Sequence, residues 1–305
     1  MEARAGELAV ARDAVAGPAR DGVPVDWTAP WYDLVRPDLD LVRDDAQAGR
    51  FDVCRRRLDD LAVARGLRNE NGHAVRFADA AGIDAHAYEA HIWSTGRVPT
   101  RCTGEGAWHD LFNALVWLAL PRTKARLNRL QAGVIARDGV RGVRGGLRDA
   151  ATLFDENAVL LVTRDDALVD ALRGFDWPAL FVAGRERFTE RSRVAVFGHA
   201  LLDKLRAPYK AVCGHAWIVH AAPECALPGQ AAGRAMLDAQ LSNALDVSCL
   251  TPSAFTPLPV LGVPGWWAPN TDPAFYRDAA VFRPGRRRSE PRTAARIDRP
   301  ASTST

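Results

Sequence analysis

The spacing of apolar residues predicts one long helix near the middle of the chain and a second helix directly after it. Over residues 108–120, large apolar side chains recur at i, i+3, i+4 and i+7, which is the period of one helix face. Pro121 interrupts this pattern and can open the next helix, over residues 121–136, because the first turn of a helix leaves its N–H groups unpaired anyway. We therefore expect two consecutive helices that meet at Pro121.

Weaker patterns predict the remaining elements. Amphipathic helices are predicted over residues 52–64, 83–95, 165–173, 194–205 and 230–245. Residues 97–101 are predicted to be extended, and the apolar run 211–222 lacks a helical period, which indicates a buried strand. Residues 151–162 hold two short apolar runs on either side of the sequence Asp155–Ala158, a pattern typical of a β-hairpin with a turn at those residues.

Because the predicted helices and strands do not alternate regularly, the pattern favours an α+β fold over a doubly wound α/β sheet. We expect a single, mainly helical domain over residues 23–285, with a small sheet that includes the hairpin, since no long Gly/Ser-rich or Pro-rich linker divides this region. Residues 1–22 and 286–305 are poor in large apolar side chains and are expected to be disordered tails, the second of them rich in arginine.

The composition is that of a globular protein, with 48% hydrophobic residues in a chain of 305, which is enough to bury a sizeable core. The net charge of +3 is too small for a protein that wraps nucleic acid with its whole surface. The charge is segregated, however, because residues 121–148 contain eight basic residues and only one acidic residue. This segment, with its Gly- and Arg-rich loop at 139–149, could bind phosphate or could be a solvated face, and both interpretations stay open.

The cysteines and the N-terminus bear on the compartment. The five cysteines are odd in number and widely spaced, which argues against a disulfide framework and against a zinc ribbon. The N-terminus lacks the apolar stretch of a signal peptide, and the longest charge-free apolar run is shorter than the roughly 20 residues that a membrane span needs. We therefore expect a cytoplasmic protein with reduced thiols and no membrane partner.

Polar residues in apolar surroundings are the first candidates for chemistry, since the nucleophile elbow, the Walker A loop and the dinucleotide-binding glycine pattern are absent from the sequence. His109, Asp110 and Asn113 begin the 108–120 helix, and His109 and Asn113 share a face. The His109–Asp110 doublet resembles the metal-binding pair of the His-Asp domain phosphohydrolases, in which a metal activates water. His199 is a third candidate ligand. In the alternative interpretation, Asp110 interacts with the helix dipole and His109 bonds a neighbouring loop.

Basic residues near these positions are candidates for anion binding. Arg101 ends the extended segment, Lys124 lies on the next helix, and Arg148 follows the Gly-rich loop. Guanidinium and ammonium groups bind phosphate and carboxylate groups through charge-assisted hydrogen bonds. Asp149, next to Arg148, is a candidate acid or base.

Four sequence runs carry a resemblance to a known family. They are RVPTR, WHDLFNALVWLALPRTKARLNRLQA, LRDAATLFDENAVLLV and VFGHALLDKL, in this order and spacing. Together they resemble the bacterial family known as domain of unknown function 3025, over about residues 31–284. The family brings no activity with it, but the resemblance implies that the polar residues inside these motifs form one constellation. These residues are Thr100, Arg101, His109, Asp110, Asn113, Pro121, Lys124, Asn128, Arg148, Asp149, Asp155, Glu156 and His199.

Two classes of function follow from these residues. The first is a hydrolase for an anionic, phosphate-bearing substrate, in which His109, Asp110, Asn113 and Asp149 are catalytic and Arg101, Lys124 and Arg148 bind the anion. This class leaves the cofactor open and suggests a divalent metal on His109, Asp110 and His199. The second class is a non-catalytic module that binds nucleic acid or an acidic protein. A third interpretation is that the polar group is a buried network that only fixes the fold.

Overall fold

A computed structural model describes residues 25–80, 87–138, 146–226 and 231–285. Its helices and strands are joined mostly by short loops and 3-10 turns. The helices are α1 (Arg36–Leu39), α2 (Arg43–Gln47), α3 (Phe51–Ala64), α4 (Tyr88–Thr95), α5 (Gly106–Ala119), α6 (Pro121–Asp138), α7 (Gly146–Asn157), α8 (Asp166–Arg173), α9 (Arg185–Arg191), α10 (His199–Lys204) and α11 (Ala231–Ala244).

Six strands form two small sheets. The strands are β1 (Arg76–Asp79), β2 (Arg97–Thr100), β3 (Ala158–Thr163), β4 (Ser192–Val196), β5 (Cys213–Val219) and β6 (Thr256–Pro259). Strands β1 and β2 pair in parallel. The larger sheet has the order β4-β3-β5-β6, in which β3 and β5 are parallel and both outer pairs are antiparallel. The fold is therefore α+β and mainly helical, as the sequence predicted.

Helix α5 lies at the centre of the fold because nearly all of its side chains are apolar. Every residue from Asp110 to Ala119 is buried. Its first turns are covered by aromatic side chains from the start of the described chain, where Trp27 stacks on Trp108 and Tyr32 stacks on Phe112. Because neighbouring side chains surround this helix, the polar side chains on it have fixed positions, as a binding or catalytic site requires.

Most of the strongly patterned elements lie where the sequence predicted them. The helices predicted over 52–64, 121–136, 165–173 and 230–245 correspond to α3, α6, α8 and α11, and the strands predicted within 97–101 and 211–222 to β2 and β5. Asp165 caps α8 by accepting a hydrogen bond from the Ala167 N–H. The helix predicted over 83–95 is present as α4 and ends at Gly96, whose φ of 72° is left-handed; residues 81–86 lie outside the described residues.

The predicted hairpin over residues 151–162 is wrong. Residues up to Asn157 continue helix α7, and β3 begins at the next residue without a turn. The Asp155–Glu156–Asn157 sequence resembles a turn. Helix α7, however, already begins at Gly146, and it buries Ala150, Ala151 and Phe154 on one face. This packing outweighs the turn propensity of the polar residues.

The single helix predicted over residues 194–205 is also wrong. Residues up to Val196 belong to β4, which pairs with β3, and only His199–Lys204 form a helix. Gly198 separates the two elements. The apolar residues before Gly198 satisfy a strand as well as a helix over so short a length, so periodicity alone could not distinguish the two.

Other features predicted from the sequence concern the termini, the thiols and membranes. The predicted tails, residues 1–22 and 286–305, lie outside the described residues, as does most of the Gly- and Arg-rich loop. All five cysteines are free thiols. In the described part of the chain, no helix has both the length and the hydrophobicity that crossing a membrane requires.

Candidate functional site

A polar cleft of about 280 Å³ lies where six elements meet. Its lining comes from the first turn of α4, the residue after β2, the first two turns of α5, the second half of α6, helix α7 and the start of α10. Six of the predicted site residues line this cleft, namely Arg101, His109, Asp110, Asn113, Arg148 and His199. The fold thus brings together side chains that are up to about 100 positions apart in the sequence.

Two histidines contact each other in the cleft. The Nε2 atoms of His109 and His199 are 3.0 Å apart, and the two rings are nearly perpendicular. His199, at the start of α10, is only 5% exposed, whereas His109, on α5, is partly exposed. A hydrogen bond of this length between two imidazoles requires that one nitrogen donates and the other accepts. The two rings therefore share a single proton between their Nε2 atoms.

Asp155, at the end of α7, lies behind His199. Its Oδ2 is 3.7 Å from the Nδ1 of His199, which has no hydrogen-bond partner among the described residues. Its Oδ1 accepts a hydrogen bond from Lys124, on α6, whose side chain is buried. The Asp155 carboxylate, the His199 ring and the His109 ring are thus arranged in series. Lys124 neutralises the carboxylate.

The electrostatics of this series keep His199 neutral. Burial disfavours the charged imidazolium and lowers the pKa of His199 to about 3, although the Asp155 carboxylate opposes the shift. Burial would also raise the pKa of Asp155, but the Lys124 ammonium, together with the two histidines, holds the pKa of this carboxyl below its ordinary value. At neutral pH, Asp155 is therefore charged and His199 is not.

Lys124 also supports a second line of hydrogen bonds. Its Nζ donates to the Oδ1 of Asn113 at 2.7 Å, and the Nδ2 of Asn113 donates to the hydroxyl of Tyr88 at 2.8 Å. Burial, reinforced by nearby carboxylates, raises the pKa of Tyr88 well above its ordinary value. Tyr88 therefore keeps its proton at neutral pH.

Glu89 contributes a carboxylate that is held by amides. Its Oε2 accepts from Asn128 at 2.7 Å and its Oε1 from Gln131 at 3.2 Å. Burial and the nearby Asp155 raise the pKa of Glu89. The resemblance to the family places Asn128 in the constellation. In the structure, Asn128 holds the Glu89 carboxylate, and Glu89 lines the cleft.

Arg101 and Asp110 form a bidentate ion pair at the edge of the cleft. The Nε and Nη2 atoms of Arg101 each donate to one carboxylate oxygen at 2.8 Å, and the backbone N–H of Arg101 donates to Asp110 as well. Gly106 makes room for this pair, because a Cβ there would lie 2.1 Å from the guanidinium carbon. Both oxygens of Asp110 are thus committed to Arg101.

The geometry does not favour the predicted set of metal ligands. His109 and His199 do meet, but their Nε2 atoms bond each other, and Asp110 is engaged by Arg101. In the described ranges, no group of three or more His, Cys, Asp or Glu side chains is arranged to hold a metal ion. The chemistry that this arrangement supports directly is proton transfer.

A close backbone approach fixes the position of His199. Gly198 precedes it, and a Cβ at Gly198 would lie 2.5 Å from the Asn157 backbone and from the carbonyl oxygen of Glu156. The N–H of Gly198 also donates to the carbonyl of Ala158 at 2.9 Å. Only glycine allows α10 to begin this close to the end of α7, where Asp155 lies.

Of the other predicted site residues, Lys124 lies beneath the cleft and Asp149 lies apart from it. Asp149 is exposed and is not part of the lining. Asp155 and Glu156, which the resemblance placed in the constellation, both line the cleft. Sequence reasoning did not identify Tyr88, Glu89 or Gln131, because a single aromatic or acidic residue near a helix start carries no distinctive signal.

The basic segment of α6 does not form one solvated cationic face. Lys124 is buried against Asp155, while Arg126 and Arg129 both pair with Glu70. The charges that looked unbalanced along the sequence are thus partly neutralised within the fold. Arg141 and Arg144, the loop positions of the same prediction, lie outside the described residues.

A larger and more apolar cavity, of about 370 Å³, lies elsewhere, between β4, α11 and the segment after β6. Leu34, Phe188 and Leu237 are among its lining residues, and none of the predicted site residues lines it. The size of this cavity alone does not assign it a role, because a reactive site is distinguished by polar groups that converge on one point. The smaller cleft has such groups.

Comparison with protein families matches residues 75–286 to the family described as "Protein of unknown function (DUF3025)". The match covers well over half of the chain and includes every residue that lines the polar cleft. No match was found among curated proteins or solved structures. The chain belongs to this family, as the sequence motifs predicted.

Proposed function

We propose that this protein is a hydrolase that acts on a small anionic, phosphate-bearing substrate in the polar cleft. The observation that carries the proposal is the 3.0 Å contact between His109 and His199, with the Asp155 carboxylate behind the buried ring. An activated acid or base in enzymes is commonly a group oriented by a second group, which is oriented in turn by a third. Asp155, His199 and His109 have this relationship.

The protonation states follow from the partners of each ring. The Asp155 carboxylate faces Nδ1 of His199 and favours a hydrogen on that atom, which leaves Nε2 of the neutral ring as an acceptor. His109 must then donate its Nε2 hydrogen to His199. The Nδ1 lone pair of neutral His109 is consequently the basic position of the pair, and His109 is the ring that is partly exposed.

These states support a hydrolytic step. A water molecule in the cleft gives a proton to Nδ1 of His109 while its oxygen forms a bond to phosphorus. The ester P–O bond breaks, and the leaving oxygen takes the proton back from His109. His199 stabilises the transient imidazolium by accepting its Nε2 hydrogen bond.

Arg148 is the group of the lining that is best suited to hold an anion, although Glu156 also lines the cleft. Asp110 is paired with Arg101, Asp155 with Lys124, and both oxygens of Glu89 accept hydrogen bonds from amides. Arg148 lines the same cleft, and within the described ranges its charge acts on the Glu89 carboxyl, where it opposes the rise in pKa, without a direct salt bridge. A guanidinium in this state is suited to hold a phosphate group.

The direct test is hydrolysis of p-nitrophenyl phosphate and bis(p-nitrophenyl) phosphate by the full chain. General acid–base catalysis typically contributes about 10²- to 10⁴-fold, so His109→Gln is expected to lower kcat/KM by at least about 100-fold. Asp149→Asn is the matched control, because Asp149 is exposed and outside the lining, and it should leave the rate unchanged.

One result would contradict the proposed activity and another would contradict the proposed role of the histidine pair. The first is that neither ester is hydrolysed, which would favour the interpretation that the polar cluster only fixes the fold. The second is activity that EDTA abolishes and Zn²⁺ restores, which would assign the chemistry to a metal instead of the histidine pair.

A further inference from the structure

The hydrogen bonds that run from Lys124 to Tyr88 have a fixed direction. A lysine ammonium has three hydrogens to donate and no lone pair with which to accept. The Asn113 atom that lies 2.7 Å from Lys124 must therefore be the carbonyl oxygen, which determines the orientation of the amide by chemistry alone. The NH₂ group of Asn113 then faces Tyr88.

This orientation determines where the Tyr88 hydrogen can go. Nδ2 of Asn113 donates to the Tyr88 hydroxyl oxygen at 2.8 Å, so this oxygen is the acceptor of that bond. A phenol has one hydrogen of its own, which must point away from Asn113. No acceptor among the described residues receives it, and Tyr88 lines the cleft.

We propose that Tyr88 donates its hydroxyl hydrogen to an anionic oxygen of the substrate and that Lys124, acting through Asn113, fixes this direction. The inference rests on the proposed function and specifies the ligand as a tetrahedral oxyanion of the phosphate type, held by Tyr88 and Arg148. Tyr88 and Arg148 would bind the anion, while Asn113 and Lys124 are positioning residues that do not touch it.

The surrounding charges are compatible with this role. Burial and the carboxylates of Glu89, Asp110 and Asp155 raise the pKa of Tyr88, so the hydroxyl stays a donor at neutral pH. The same carboxylates would repel an anion if they were unpaired, but each of them is held by a partner that belongs to the protein. Tyr88 therefore offers a hydrogen without adding a charge.

The test is binding of inorganic phosphate to the full chain at pH 7.5, measured by calorimetry. Tyr88→Phe removes only the hydroxyl and should raise Kd about tenfold or more, as expected for a lost hydrogen bond to a charged group. Asn113→Asp should also raise Kd, because its carboxylate would accept from both Lys124 and Tyr88 and so turn the Tyr88 hydrogen away from the cleft. Thermal denaturation of each variant establishes that it is folded.

The double variant separates this effect from the added negative charge of Asn113→Asp. If the Tyr88 hydrogen has been turned away, Tyr88→Phe has no further effect in the Asn113→Asp background. If Tyr88→Phe still weakens binding tenfold in that background, Asn113 does not control the direction and the inference is wrong.

The remaining outcomes distinguish this inference from the proposed function. Phosphate binding that is weakened by Arg148→Met but unaffected by Tyr88→Phe would overturn the role of Tyr88 and leave the anion site intact. Failure of the wild-type protein to bind phosphate at all would overturn both, because the anion site itself would then be absent.

Discussion

At the scale of single residues, the energetics of the cleft depend on burying charged groups together. Lys124 is 4% exposed and contacts Asp155, Asn113 and the face of Trp117. Removing one member of a buried ion pair leaves the other charge unpaired in a medium of low polarity, which typically costs about 3–5 kcal/mol.

We therefore expect Lys124→Met to lower the free energy of unfolding by about 3–5 kcal/mol, measured by urea denaturation. The double variant Lys124→Met/Asp155→Leu should recover a large part of this loss, because it leaves no unpaired charge behind. A double variant that is as unstable as the sum of its single variants would show that the two residues do not interact energetically.

The neutral state of His199 predicts a dependence of stability on pH. In the unfolded chain His199 takes up a proton near its ordinary pKa of 6.5, whereas in the folded protein its pKa is lowered to about 3. The unfolded state therefore binds more protons between these values, and the folded state loses about 1.4 kcal/mol of stability per pH unit as the pH falls through this window.

Replacing His199 by Gln should remove this contribution, so the stability of the variant should fall less steeply between pH 6.5 and 4.5 than that of the wild-type protein. His220→Gln is the matched control, because His220 is exposed, and it should leave the slope unchanged. Equal slopes for wild type and His199→Gln would contradict the burial of a neutral imidazole at this position.

The candidate site could be predicted only in part from the sequence. The pairing of His109 and Asn113 on one helix face followed from the i, i+4 spacing, and the family motifs pointed to His199 and Asp155. The contact between His109 and His199 is tertiary, since it joins residues 90 positions apart, and no local pattern encodes it. Asp149 was a candidate because it follows Arg148, yet adjacent residues on a helix point in different directions, and Asp149 faces away from the cleft.

At the scale of elements, the position of His199 depends on the close packing of the start of α10 against the end of α7. Gly198→Ala places a methyl group 2.5 Å from backbone atoms of Glu156 and Asn157, which cannot move as a side chain could. We expect this variant to be destabilised by about 1–3 kcal/mol, a typical cost of overpacking, and its histidine pair to separate.

Gly133→Ala is the control for the glycine substitution. Gly133 lies within α6, a Cβ there would meet nothing within 4 Å, and alanine is the better helix former, so this change should stabilise the protein by about 0.5–1 kcal/mol. Denaturant titration of both variants is the measurement, and a Gly198→Ala variant as stable as the wild type would refute the requirement for a close approach.

The elements that the sequence predicted correctly are those whose pattern persists over many residues. Helix α6 is one example, because its helical period extends over several turns. Strand β5 is another, because the mostly apolar run that contains it continues over several residues without a helical period. The errors arose around Asp155 and Gly198. At the first position turn-forming residues continue helix α7, and before the second the three apolar residues Val194–Val196 belong to strand β4. Tertiary packing decided both cases, and it is not visible in the local sequence.

At the scale of the whole molecule, the segregation of charge along the sequence does not carry over directly to the surface. Glu70, more than 50 positions before Arg126 and Arg129, pairs with both, and Asp155 neutralises Lys124. The count of charged residues over 121–148 therefore overstated how basic the surface of α6 is. The cleft, in contrast, gathers its groups from α4, the end of β2, α5, α6, α7 and α10, so that proton donors, acceptors and the Arg148 guanidinium converge only when the whole domain is folded.

The proposed series of Asp155, His199 and His109 is tested most directly by the protonation of the histidine pair, followed by long-range ¹H–¹⁵N spectra of the imidazole rings from pH 8 to pH 4. We expect that one ring carries its hydrogen on Nδ1, stays neutral throughout this range and disappears from the spectrum of His199→Gln. His109 should carry a hydrogen on Nε2. A His199 ring that titrates near pH 6.5, or that carries its hydrogen on Nε2, would contradict the series of Asp155, His199 and His109 on which the proposed hydrolase rests.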